Sequence, residues 1–215
     1  MDTPVQFRER LVEVYTPSMW IPLVRYIGIG VMVFGIVSLF LDRGADIAWS
    51  LLLIIVGGLA TRVAAPTGLA MLAVTFGWTT LAGGLLGRWV AATAAAALAI
   101  AALLAFQAAW RQAQRPLPAL PALAVGSLAV GLLSTLILIA AFGSSLLAFV
   151  TGWPISAQFV DSLTSVGVQA AVLAVALATA GSAQRGRHFW AAPLGGVAGI
   201  IGLLAYVGLL LFAQG

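Results

Sequence analysis

The chain reads as an all-α, polytopic integral membrane helix bundle of about seven transmembrane helices, N-in and C-out, with an N-terminal interfacial amphipathic helix. Three observations carry that reading. Of 215 residues, 62% are hydrophobic and only 7% charged, with a mean hydropathy of +1.12, where a soluble domain carries roughly 25% charged residues. Apolar runs near the length that crosses a bilayer, about 20 residues, follow one another with short connections. The charges and nearly all the tryptophans fall where those runs end.

Residues 1–18 come first. Thr3-Pro4-Val5-Gln6 has the form of a capping box with proline at the first helical position. Phe7, Leu11, Val14 and Tyr15 then share one face opposite Arg8, Glu9 and Glu13, as in a helix lying on the membrane surface. No small-residue cleavage site follows the first apolar stretch, so the segment does not read as a secretory signal.

The spans are predicted at 19–41, 47–65, 67–87, 89–110, 119–142, 162–181 and 190–213, one transmembrane domain divisible into a four-span unit, 19–110, and a three-span unit, 119–213. Arg62 with Pro66 divides the second span from the third, and Gly87-Arg88 divides the third from the fourth. A re-entrant arrangement of 47–87 is the alternative division. Gly143-Ser144-Ser145 is expected to end the fifth span or line a shallow entrance. Asp161, ahead of Ser162-Leu163-Thr164, is expected to cap the sixth.

Charge placement supports this division. With the N-terminus inside, Arg8, Arg10, Arg25, Arg62, Arg111, Arg115, Arg185 and Arg187 fall on the cytoplasmic side, and only Arg43 and Arg88 fall opposite. That asymmetry follows the positive-inside rule. Trp20, Trp49, Trp89, Trp110, Trp153 and Trp190 lie at span ends, while Trp78 alone is mid-span.

The inventory excludes much chemistry. There is no Cys and no Lys, and the single His is His188, which leaves no thiolate nucleophile, no disulfide, no Cys-held metal and no Schiff base to a retinal. No acidic residue or His sits deep in a span, against a proton relay, and no proline breaks a span near its middle, against a broken-helix transporter site. The chain is therefore read as non-catalytic, with no metal site and no nucleic-acid partner.

The remaining candidates are uncharged or interfacial. Thr75, Trp78 and Thr79 share a helix face and form a candidate apolar or quinone pocket, the competing reading being hydrogen bonds that hold the bundle together. Arg62, Arg111, Arg115, Arg185, Arg187 and His188 are candidate contacts to lipid headgroups. Gly83–Gly87 and Gly195–Gly199, extended by Gly202, have the spacing that lets helices approach closely, within the bundle or against another subunit.

Leu51–Phe76, with Gly57-Gly58-Leu59-Ala60-Thr61-Arg62-Val63-Ala64-Ala65 and Leu69-Ala70-Met71-Leu72, resembles the second-to-third span region of DoxX-type membrane proteins. There a glycine-rich helix end runs into a Thr-Arg turn and an Ala/Leu helix. The resemblance covers about residues 20–110. It implies a small subunit of a membrane redox assembly near the quinone pool, with Thr61 and Arg62 as a turn that packs or binds a headgroup.

Taken together, the expectation is an accessory or structural subunit of a larger redox, respiratory or photosynthetic membrane complex, binding lipid or quinone and other integral membrane subunits. The alternative is a small-solute transport component, such as a substrate-binding subunit powered by a partner ATPase. Arginine without lysine, in an alanine-rich chain, points to a high-GC prokaryotic genome, and the multi-pass chain is expected in the cell inner (plasma) membrane.

Overall fold

A computed structural model describes residues 19–41, 47–113, 121–152, 154, 156–182 and 190–214, with the side chains of 41, 149, 157 and 208–214 excepted. The amphipathic reading of 1–18, the capping box, and Arg43, Arg115, Arg185, Arg187 and His188 lie outside these residues. Within them the chain is all-helical: α1 (Trp20–Leu41), α2 (Ile47–Ala60), α3 (Ala65–Leu85), α4 (Trp89–Gln112), α5 (Pro121–Thr151), α6 (Ala157–Ser182) and α7 (Ala191–Gln214). Five of these, α1, α3, α4, α5 and α6, are long and apolar enough to cross a membrane. The architecture is consistent with a helical membrane bundle.

Sequence chemistry sets the helix ends. Pro22, Pro66, Pro121 and Pro193 all stand in first turns, where the missing N–H costs no helical hydrogen bond. The C-terminus of α3 closes with Arg88 N–H donating to the Gly83 carbonyl at 2.7 Å and Leu86 N–H to Ala82 at 3.0 Å. Gly87 takes φ +70° there, a left-handed turn that an L side chain would strain. Gly152, at φ +67°, ends α5 in the same way.

Three boundaries differ from expectation. First, α2 ends at Ala60, and its 14 residues reach only about 21 Å, short of a hydrocarbon core of about 30 Å. Pro66 then lies inside α3 rather than ahead of it. Second, α5 does not stop at Gly143-Ser144-Ser145. It runs 31 residues to Thr151, about 46 Å, and Ser145 Oγ donates to the Ala141 carbonyl at 3.1 Å, a bond to its own helix that does not interrupt it. Third, Asp161 is not a cap. The sixth helix begins at Ala157, and Ser156 Oγ accepts from Phe159 N–H at 3.2 Å, leaving Asp161 exposed in the second turn.

The helices alternate in direction. Gly28 packs on Gly57 and Thr61, and Gly35 on Ser50, so α1 and α2 are antiparallel. Trp20 Nε1 donates to Gln112 Oε1 at 2.8 Å, joining the start of α1 to the end of α4. Gly181, at the end of α6, abuts Ala124 and Ala192, which begin α5 and α7. Trp78 of α3 meets Tyr206 of α7 at a similar depth, with ring centroids 6.4 Å apart. One end of the bundle thus collects Arg25, Arg62 and Arg111, and the other holds Arg88 and Asp161.

Packing is organised around two central helices. α1 with α2 and α3 with α4 form hairpins, α5, α6 and α7 form a three-helix sheaf, and α3 and α6 join the two halves. Half of the most apolar stretch of α6 is buried, against 17% for α1. α4 buries Ala92, Ala95, Ala99, Ala102 and Ala109, one stripe of small side chains at helical spacing laid on α3.

Candidate functional site

The threonine and tryptophan cluster of α3 runs from the core to a half-buried face. Thr75 is fully buried and its hydroxyl donates to the Met71 carbonyl at 3.0 Å. Thr79 donates in turn to Thr75 at 2.9 Å, and Thr80 to Phe76 at 2.9 Å. These hydroxyls are used on their own helix, not across helices. Trp78 is 8% exposed and packs into the main core, its ring tilted 55° to that of Tyr206.

The densest polar contact lies elsewhere, at a residue that sequence reasoning passed over. Ser127 of α5 is fully buried, with its Oγ 3.0 Å from the Ala174 carbonyl of α6 and 3.3 Å from the Ala192 carbonyl of α7. One hydroxyl proton thus serves two neighbouring helices as a three-centre bond. Glycine makes the approach possible. A Cβ at Gly131 would stand 2.6 Å from the Gly195 carbonyl, and one at Gly195 would collide with the Ser127 backbone. The sequence signal was the small-residue spacing of Gly195–Gly199. Its partner on α5, Ser127 with Gly131, repeats that spacing of four.

The expected headgroup residue Arg62 sits in the α2–α3 turn and lines a recess of about 20 Å³ together with Ile21, Val24, Arg25, Ala60, Thr61, Val63 and Ala65. The turn is held by Thr61 Oγ donating to Gly58 at 2.7 Å and by Arg62 and Val63 N–H groups both donating to Leu59. Ala64, ahead of α3, has no side chain that can cap the helix, and the Thr67 hydroxyl donates to the Ala64 carbonyl at 2.6 Å. Both arginines are exposed, and neither makes an ion pair among the described residues. Arg111 lies at the same end, in the last turn of α4.

Among the described residues, two buried oxygens have no hydrogen-bond partner, Ser50 Oγ in α2 and Gln169 Oε1 in α6. Each costs about 1–3 kcal/mol when left unpaired in an apolar interior. Among the described residues, no group of three His, Cys, Asp or Glu side chains stands close enough to hold a metal ion. No family model matches the chain, and no curated protein or solved structure matches it.

Proposed function

We propose that this chain is a non-catalytic accessory subunit of a larger membrane complex, redox-linked in kind, that spans the inner membrane of a prokaryote seven times with its N-terminus inside. In this reading it binds lipid or quinone and other integral membrane subunits. One observation carries it: among the described residues, helices meet backbone to backbone at Gly28 on Gly57 and at Gly131 on Gly195. A bundle packed in this way works through its outer surface and its ends. The resemblance of residues 20–110 to DoxX-type subunits points the same way, and the two hairpins α1–α2 and α3–α4 correspond to that stretch.

Short α2 leaves room for a variation on the topology. Its 14 residues reach the far side only where the membrane thins.

The test is extraction in mild detergent with a tag on this chain. Other integral membrane subunits are expected to co-purify in fixed stoichiometry, with lipid or quinone recoverable by solvent extraction. A chain that elutes alone, without partner or bound isoprenoid, contradicts the proposal.

A second reading, a solute-transport component, draws on Ser50 and Gln169. Unpaired buried oxygens in an apolar bundle are what a polar path would present. Solute uptake that depends on this chain and on a partner ATPase would favour it.

A further inference from the structure

We infer that the recess between the start of α1 and the α2–α3 turn is a binding site for an anionic phosphate group, with Arg25 and Arg62 as its two donors. The inference rests on the membrane-spanning reading above, and on nothing about partner subunits.

The two arginines come from separate elements and line the same recess. Arg25 stands in the second turn of α1, and Arg62 in the turn that begins four-residue link 61–64 to α3. Two like charges lining one small recess repel each other, weakly where water screens them, and an anion between them turns that repulsion into attraction. The described residues supply none: their only acidic side chain, Asp161, is at the opposite end of the bundle. Guanidinium forks match phosphate oxygens with paired, charge-assisted hydrogen bonds, worth roughly twice a neutral one.

The recess is sized and shaped for part of such a group. About 20 Å³ holds one oxygen-sized atom, so a phosphate oxygen seats inside while its ester arm stays outside. The walls suit an amphiphile, because Ile21, Val24, Ala60 and Val63 present apolar surface beside the two charges. The positive end of α3, which begins at Ala65 in the same recess without a side-chain cap, adds to the field but does not make the site.

A lipid headgroup and free phosphate offer the same chemistry, and native mass spectrometry of the delipidated chain separates them. The probes are phosphatidylglycerol, zwitterionic phosphatidylcholine and inorganic phosphate, each against wild type, R25Q/R62Q, R25K/R62K and R88Q. Phosphatidylglycerol is expected to bind wild type and R88Q alike, and the double glutamine variant roughly tenfold more weakly. R25K/R62K is expected to recover part of the loss, since charge returns without the fork. Competition by millimolar inorganic phosphate would identify the free ion as an occupant, whereas its failure would leave the lipid. Equal binding of phosphatidylglycerol to wild type and R25Q/R62Q, with both eluting as folded protein, overturns the inference. So does wild-type binding of phosphatidylcholine as tight as that of phosphatidylglycerol. The isolated chain suffices for every arm, so a chain that purifies without partners can still pass this test.

Discussion

The two halves of the bundle solve the same packing problem with different freedom to relax. In the first half, α1 leans on α2 through Gly28, Gly35 and Gly57, and most of its surface remains open. In the second, α5, α6 and α7 all touch one another, and Ser127, Gly131, Gly181 and Gly195 meet within a few turns. Close approach in lipid rests on van der Waals packing and hydrogen bonds, because hydrocarbon gives apolar helices no reason to leave it. A peripheral helix that is pushed away can tilt. A helix held by two partners cannot.

That difference is sharpest under overpacking. Gly131→Leu forces a side chain into the Gly195 backbone, and α5 has α6 behind it. Gly57→Leu meets the Gly28 carbonyl and the Met32 backbone at similar range, but α1 is free to swing outward. The expected loss is about 3 kcal/mol or more for Gly131→Leu and nearer 1 kcal/mol for Gly57→Leu. Reversible unfolding in mixed detergent–lipid micelles measures both. Equal losses would show that the halves relax alike.

Hydroxyl deletions probe the same contrast at smaller scale. Ser127→Ala removes the bond shared among three helices, and about 0.6 kcal/mol is the typical worth of such a bond in a membrane bundle. Ser134→Ala removes only a bond to the Gly131 carbonyl of its own helix, at 2.8 Å, and unfolding is expected to shift little. A Ser134→Ala loss as large as that of Ser127→Ala would mean that hydroxyls act through their own helices.

Gly30 offers the opposite sign. Nothing stands within 4 Å of a Cβ there, so Gly30→Ala should leave packing intact and stabilise α1 by up to about 1 kcal/mol through helix propensity. Destabilisation in the same unfolding assay would reveal a neighbour pressed on that face.

Much of this was legible in the sequence. Apolar run length located the seven helices of the described residues, because a segment that hides its backbone from lipid satisfies it internally as a helix. Proline and glycine marked the ends, as Pro66, Pro121 and Gly87 show. What escaped were features set by contacts between segments. Hydropathy cannot see that α2 stops at Ala60, nor that α5 runs past Gly143 to Thr151. Ser127 looks like any serine in an apolar run until α6 and α7 are placed against it. The Trp78 cluster has the spacing of a pocket wall, and nothing in that spacing shows that Tyr206 of α7 stands beside it. Arg25 looks like a lone border charge until the α2–α3 turn brings Arg62 to the same recess.

In the proposed function the interior is packing and the work is done at surfaces and ends. The chain contains no cysteine, so single thiols can be placed at will. Ser50→Cys and Gln169→Cys, at the two unpaired buried oxygens, are compared in native membranes with Arg88→Cys at an exposed end, using a small water-soluble thiol reagent. The packed interior predicts rapid labelling at 88 and none at 50 or 169. Labelling at 50 or 169, in either direction of access, would contradict it and reveal a water-filled path through the bundle.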